Sequence, residues 1–594
     1  MGIANFAAVL VANATYDYVI VGGGLSGLVV ANRLTEDSSK KVLVIEWGGI
    51  DTSVTATVPY DANSLNLKSM WPLTSAPDLN LNNVSFPVLV GGVVGGGTVV
   101  NGMAYNRAAA KDYDAWKQLG NDGWGFADLL PYFKKSSSLN TPSAAVAREY
   151  EITWDQTAYD HGPTPATLTN FQFPDLKKFW QAWKDSGVPL PVEHGLGDAV
   201  GAFWMPSTID VEKGVRGDAR VDYYEPVQGR NNLHLLTMAN VDKVLFKGGL
   251  TANGVSMTSR LTNAIAQVYA SKEVILAAGA IHTPQLLQLS GIGPKFVVEA
   301  AGITSRLHLP GVGANFQDHP VAFMSFNLSN QAFPNAGSLL NPTYNTSAYQ
   351  QYLSNKTGIY SSARGNGVAF LALSQVTDDY KCIAARVANQ TATDFLPAAY
   401  SESTLLTGFT AQRDILQDRF DGVDTAVSEF PFSGGSGSMA VAFQKPLSRG
   451  TITLNPTSPR GQPVIQYNTM QNPVDTEIIL AIVRRARKYF ASSAMESLSP
   501  VEAAPGAQFQ TDADLLAALK QEGLLSPSFA HPSCSCAMMP KDKGGVVGPD
   551  LLVYGTSKLS IIDASIIPMI PAAHLQATMY AVAEKAADLI KARK

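Results

Sequence analysis

A chain of 594 residues that is 46% hydrophobic is too long for a single hydrophobic core, and two interleaved domains are expected. Its formal net charge of -5 argues against nucleic acid or an anionic membrane as a partner, and no apolar run reaches the roughly 18 residues of a bilayer span. The three cysteines, Cys382, Cys534 and Cys536, form neither a disulfide framework nor the spacing of a zinc site, so no metal is expected.

In chain order, residues 3–11 are apolar and Ala12-Asn13-Ala14 resembles a cleavage site, although no basic segment precedes it. Six N-x-S/T sequons follow, at Asn13, Asn83, Asn327, Asn345, Asn355 and Asn389. Together these features point to a secreted or vacuolar N-glycosylated protein, with the cytoplasm as the alternative. Residues 18–21 are strand-formers, Gly22, Gly24 and Gly27 stand at GxGxxG spacing, and 25–34 reads as a helix. A second strand, 41–45, ends in Glu46, nineteen residues after Gly27. The first glycine permits the tight turn, the second lets backbone approach a pyrophosphate, and the third lets helix and strand pack closely. The first helical turn, with Leu25 and Ser26, offers free N–H groups, and Glu46 accepts from ribose hydroxyls. This is a dinucleotide site.

Residues 48–83 read as a loop region rich in Asp, Asn, Ser, Pro and Thr. They lead into VLVGGVVGGGTVVNGMAYNR at 88–107, which has five glycines within seven residues. Such a run permits close backbone approach to a flat or charged ligand, and the valines and Met103 woven through it indicate burial.

Placed after a dinucleotide fold, GGGTVVNGMAYNR at 95–107 resembles the first signature of the glucose–methanol–choline (GMC) flavoprotein oxidoreductases. GAIHTPQLLQLSGIGP at 279–294, following a strand at 273–277, resembles the second. LPGVGANFQDHP at 309–320, AHPSCSCAMMP at 530–540, GGVVGPDLLVYG at 544–555 and IIDASIIPMIPAAHLQATMYAVAEKAADLI at 561–590 are similar to the family's text. The resemblance implies that the dinucleotide is FAD. Members that tether the flavin covalently carry histidine directly before the motif asparagine; Val100 precedes Asn101 here, so non-covalent binding is implied. The implied fold is α/β, a Rossmann-like FAD-binding domain interleaved with an α+β substrate-binding domain built on an antiparallel sheet. Residues 15–50, 85–140, 215–325 and 525–594 fall to the first domain, and 150–215 and 330–525 to the second. Within the second, 451–454 and 464–467 read as strands and 476–489 as a helix. Further implied FAD contacts are Gly96, Thr98, Asn101, Gly102, Met103 and Ala104, then Val241, Asp563, Ala564, Leu575 and Gln576. The dipole of the final helix would stabilise negative charge on the reduced ring.

Removing the proton of an alcohol while hydride leaves its carbon requires a base that titrates near neutrality, which singles out histidine. Of eight histidines, His531 opens HPSCSCAMMP and His574 begins the last helix, whereas His161, His194, His234, His282, His308 and His319 lack such placement. The resemblance implies that His531 is the general base and that His574 orients the hydroxyl. It assigns His319 a structural role, and His282 is not assigned to chemistry. Where the family commonly reads HPxGTC, Cys534 replaces the glycine and Ser535 the threonine, and a packing role is expected for Cys534. The implied activity is oxidation of a primary or secondary alcohol to a carbonyl in fungal secondary metabolism, with oxygen or another acceptor reoxidising the flavin. An apolar or aromatic alcohol is favoured over a free sugar. The alternatives are a non-redox ring-closing dehydration in a polyketide pathway, a glucose or sugar oxidase or dehydrogenase, and a non-catalytic flavin-binding glycoprotein. The expected assembly is a monomer or homodimer.

Overall fold

Short runs of Val, Leu and Ile without polar alternation suit a sheet buried on both faces, and here they form one. Leu233–Leu236, Val42–Ile45 and Thr15–Val21 run parallel in that order. Next comes the far end of Ile265–Leu276, with Leu559–Ile561 parallel on its other side. The near end of Ile265–Leu276 belongs to an antiparallel meander with Thr251–Ser259 and Ala239–Lys247. The computed structural model describes residues 12–363 and 365–593; the apolar segment 3–11 lies outside them.

Helices Leu25–Leu34 and Leu575–Ala592 pack against each other and share one core with this sheet. Glu584 is wholly buried between them. It accepts two N–H groups of Arg33 at 2.9 and 2.7 Å and the Tyr223 hydroxyl at 3.0 Å, and it pairs with Lys135 at 3.2 Å. A carboxylate so fully partnered offsets the cost of leaving water.

The second large sheet is antiparallel throughout. Its strands are Val501–Ala504, Val321–Asn327, Ser438–Phe443, Ser428–Phe432, Gly367–Leu371 and Gly201–Trp204, with Leu525–Ser526 also on Val321–Asn327. Helix Pro473–Phe490 packs against it through Ile478, Ile479, Ile482, Val483 and Ala486. That helix starts three residues before the expected 476. The reason is local: Asn472 caps it by accepting the Val474 N–H at 3.0 Å, and Pro473 fills the first helical position. Thr451–Thr453 and Val464–Gln466 pair as an antiparallel hairpin. Val321–Asn327, which begins within the 215–325 segment, runs in this second sheet. Phe323, Ser325, Ser438, Ala440, Glu429 and Pro431 of this sheet border a cavity, and so do Met324, Met439 and Phe432. Among the described residues, no helix is long and apolar enough to cross a membrane.

A buried ion pair fastens the two halves together. Lys445, just beyond Ser438–Phe443, meets Asp112 of helix Ala110–Gln118, and both side chains are 3% exposed. Asp112 also accepts the Ala572 N–H at 3.4 Å, two residues before His574. Lys445→Met would leave that carboxylate buried and unpaired, and should cost about 3 kcal/mol of stability. Adding Asp112→Asn should recover part of the loss. Chemical denaturation of the single and double variants checks both expectations.

Candidate active site

The Gly22–Gly27 turn folds because two of its glycines leave room that no other residue leaves. Gly22 has φ +109°, and a Cβ there would lie 2.2 Å from the Ala277 carbonyl oxygen. A Cβ on Gly27 would lie 2.0 Å from the Gly22 carbonyl oxygen. Strand, turn and helix therefore close directly on one another. Gly24 caps helix Leu25–Leu34 without a side-chain hydrogen bond, and Gly24, Leu25 and Ser26 face the cavity with first-turn N–H groups. The second glycine cluster meets the first: Gly95 N–H donates to the Gly23 carbonyl at 2.8 Å, and Gly24 and Gly95 form a parallel bridge.

The cavity measures about 1540 Å³, beyond the roughly 300–1,000 Å³ of a pocket for one small ligand. It has room for a dinucleotide and a substrate together. At one end Glu46 accepts the Gly23 N–H at 2.7 Å and the Gly48 N–H at 2.8 Å, and burial raises its pKa to about 7. Beside it, Trp47 stacks on Trp71 at 3.7 Å, Trp71 lies against His282 at 4.0 Å, and the Arg260 guanidinium sits 3.5 Å over Trp47. Val241 lines the same end.

Gly96, Thr98, Asn101, Gly102 and Ala104 line the middle, opposite Asp563, Ala564, Leu575 and Gln576. Asn101 donates to the Gln576 Oε1 at 3.1 Å, and Gln576 donates to the Ala104 carbonyl at 2.6 Å. Asp563 accepts the Gly279 N–H at 3.0 Å and the Thr283 hydroxyl at 2.5 Å, tying the 279–294 segment to the C-terminal run. Two of the expected contact residues stand back from the cavity. Gly27 packs on Gly22, and the Met103 side chain is buried with Ala62, Ile209 and Ala363. The Met103 N–H is held by Asn101 Oδ1 at 2.9 Å.

At the far end, His531 and His574 meet edge-to-face with ring centres 5.2 Å apart, and Phe529 closes over both. Asp318 fixes the 528–531 segment from below, accepting the N–H groups of His531 at 3.0 Å and Phe529 at 3.2 Å and the Ser528 hydroxyl at 2.6 Å. His531 Nδ1 lies 2.9 Å from His319 Nδ1. Burial lowers the pKa of His531 to about 4 and that of His319 well below 6.5, so both rings are neutral at pH 7. One of the two facing nitrogens must then carry a hydrogen and the other must be bare. The Pro571 carbonyl beside His319 opposes the lowering of its pKa. The arrangement in which His531 donates from Nδ1 leaves its Nε2 unprotonated.

His574 is the N-cap residue of helix Leu575–Ala592. Asn106 Oδ1 accepts its backbone N–H at 3.1 Å and lies 2.9 Å from its Nδ1. Its Nε2 lies 3.4 Å from Oε1 of Glu429, a carboxyl raised to about 8 by burial, with the Gln444 hydrogen bond opposing that rise. Asn106, His319 and Glu429 complete the cluster, and none was singled out as a site residue in the sequence. Asn106 and His319 do fall inside the quoted motifs at 95–107 and 309–320, but Glu429 lies in a strand with no motif at all.

The model of the GMC oxidoreductase N-terminal domain matches residues 16–321, and that of the C-terminal domain matches residues 446–583. The chain belongs to the GMC oxidoreductase family. Dehydrogenase xptC of Emericella nidulans is 36% identical over 98% of this chain and 94% of its own length. An FAD-dependent oxidoreductase from Chaetomium thermophilum superposes with a TM-score of 0.94 at 38% identity, covering 97% of this chain and 99% of that one. A fungal aryl-alcohol oxidase superposes with a TM-score of 0.92 at 36% identity, covering 97% and 98%. This GMC oxidoreductase is an FAD-dependent enzyme, and its residues fit that group. The cavity has the length, the glycine turn leaves the backbone open, and a buried carboxyl waits at the ribose end.

Cys534 stands at φ +72°, a left-handed conformation that favours the glycine common at this motif position. Its thiol is buried, raised to about 12, and does not line the cavity, in keeping with a packing role. Gly27→Ala should fold yet emerge without yellow colour, with FAD affinity lowered at least 100-fold, because the turn must open to admit a methyl group. Titration of the variant with FAD, followed by flavin fluorescence, measures the loss.

Proposed function

We propose that this GMC oxidoreductase binds FAD non-covalently and oxidises a primary or secondary alcohol to the carbonyl, with His531 as general base and His574 as the residue that orients the hydroxyl. The observation that carries this reading is the meeting of the two imidazoles on the cavity wall. FAD, when bound, supplies the acceptor for the hydride. His531 contributes a bare Nε2, and His319 keeps it bare by accepting from Nδ1. Proton transfer from the alcohol to His531 Nε2 leaves an imidazolium whose Nδ1–H still points at His319. The resting ring is neutral at physiological pH and so can accept a proton, but burial sets its pKa at about 4, below the near-neutral value expected of the base from the sequence. Val100 lines the cavity where a tethering histidine would stand, which supports a cofactor held without a covalent bond.

The substrate we propose is an apolar or aromatic alcohol from fungal secondary metabolism. Phe173, Phe323, Phe432, Phe529, Met324 and Met439 on the cavity wall support it, as does the 36% identity to an aryl-alcohol oxidase. Oxygen or another acceptor then removes the electrons. Passage through the secretory pathway is proposed from the sequons. Asn13, Asn83, Asn327, Asn355 and Asn389 are exposed, whereas Asn345 is half-buried and accepts the Tyr360 hydroxyl at 2.6 Å.

Anaerobic mixing with a panel of alcohols tests the function. Bleaching of the flavin supports oxidation, whereas a spectrum that stays yellow with every alcohol contradicts it and favours ring closure without redox change. His531→Ala should retain FAD and slow flavin reduction by about 100- to 10,000-fold. In the wild type, kcat/KM should hold down to about pH 4, below which His531 takes a proton and ceases to act as a base. An acid limb near the ordinary histidine value of about 6.5 would contradict the assignment.

A further inference from the structure

Of the large apolar side chains that the antiparallel sheet contributes to the cavity wall, Met324, Met439 and Phe432 are buried, whereas Phe323 is 42% exposed. Strand register accounts for the difference. Phe323 lies directly across from Ala440, whose methyl group is too small to cover a ring. Two residues further along, Ser325 lies across from Ser438, and Ala504 flanks Ser325 on its other side. All five line the cavity. The hydroxyls of Ser325 and Ser438 make no hydrogen bond to another described residue.

These groups stand in a fixed order from the histidines. Strand Val321–Asn327 starts two residues after His319, whose ring meets His531. Along it the Phe323 ring comes first, and the serine pair follows about 7 Å beyond.

This part of the wall has no charge to offer. Among the described residues, no lysine lines the cavity. Its one arginine, Arg460, stands at the dinucleotide end, between the Pro459 and Gly461 carbonyls that accept from Gln285 of the 279–294 segment. Glu46 and Asp242 lie at that end as well, and Asp563 in the middle. Burial raises the Glu429 carboxyl to about 8, so it is uncharged at pH 7.

We propose that this wall selects uncharged, flat, multi-ring alcohols that carry a second oxygen remote from the carbinol. The rings lie on Phe323, and the remote hydroxyl or carbonyl meets Ser325 and Ser438. This rests on the alcohol oxidation proposed above and adds what the substrate must carry. An aromatic face laid on Phe323 takes apolar surface of both partners out of water. A serine hydroxyl donates to a carbonyl or accepts from a phenol, so the pair suits either oxygen. A one-ring alcohol held at the histidines leaves both groups to water. A sugar sets its hydroxyls against the Phe323 ring, where they find no partner. A carboxylate or phosphate meets no cation there.

Phenols without a carbinol test the wall apart from the reaction. One phenolic hydroxyl takes the place of the carbinol oxygen at His531 and His574. That leaves a second ring for Phe323 and a second hydroxyl for the serines. In calorimetric titration of the FAD-loaded enzyme, para-phenylphenol should bind about 10-fold tighter than phenol, and symmetric para,para′-biphenol about 5-fold tighter again. Phe323→Ala should remove most of the first gain. Ser325→Ala combined with Ser438→Ala should remove only the second. Flavin absorbance reports that each variant is folded and loaded. Equal binding of phenol and para-phenylphenol, or of para-phenylphenol and the biphenol, would overturn the proposal in the wild type alone. So would a double serine variant that keeps its preference for the biphenol. A flavin that no alcohol bleaches would instead strike the proposed function, and the phenol titrations, which need no turnover, keep the two failures apart.

Discussion

Two buried imidazoles 2.9 Å apart constrain everything built around them. Neither His319 nor His531 is easily protonated in its dry setting, so the pair has a single hydrogen to place between them. This is an inexpensive way to orient a base. A carboxylate in the same position would have stabilised the charged ring and raised its pKa, leaving the base protonated when an alcohol arrives. A second imidazole orients without attracting the proton. The same economy recurs on the other side of the cavity, where Asn106 orients His574 through a neutral amide.

The interleaving of the chain follows from what this cluster needs. His574 belongs to the helix that packs on the dinucleotide-binding sheet, while Glu429 belongs to the antiparallel sheet. His319 and His531 lie on connecting segments, held together by the N–H groups that converge on Asp318. No single domain could present a dinucleotide cradle and an enclosed substrate wall to the same space. The chain crosses between the two sheets repeatedly, and the buried Lys445–Asp112 pair and the Ala572 N–H fasten them at the crossing nearest the histidines. Two hydrophobic cores result, one for each sheet, with the cavity between them.

The legible parts of the sequence were those where local sterics dictate the residue. The glycines at 22 and 27 announce a turn because nothing larger fits against Ala277 and Gly22, and the strand–turn–helix stands as Thr15–Val21 and Leu25–Leu34. The helix near 476–489 was legible from its apolar period, and its true start needed only the Asn472–Pro473 cap to be recognised. What was not legible depends on contacts between residues far apart in the chain. Nothing at Glu429 marks it as a partner of His574, and nothing in the strand Ser428–Phe432 shows which face meets the cavity. The stack of Trp47, Trp71 and His282 is likewise assembled from three separate segments. Cys534 is a different case. The departure from the family's text was visible, but that it occupies a left-handed conformation with its thiol turned away from the cavity appears only in three dimensions.

The account turns on which nitrogen of His531 is bare. Nitrogen-15 NMR of the enzyme labelled in its histidines, with His531 assigned by comparison with the His531→Gln variant, reads this directly. The account predicts a neutral ring at pH 7, protonated at Nδ1 and bare at Nε2, that stays so as the pH is lowered toward about 4. A ring protonated at Nε2, or an imidazolium at neutral pH, would contradict it.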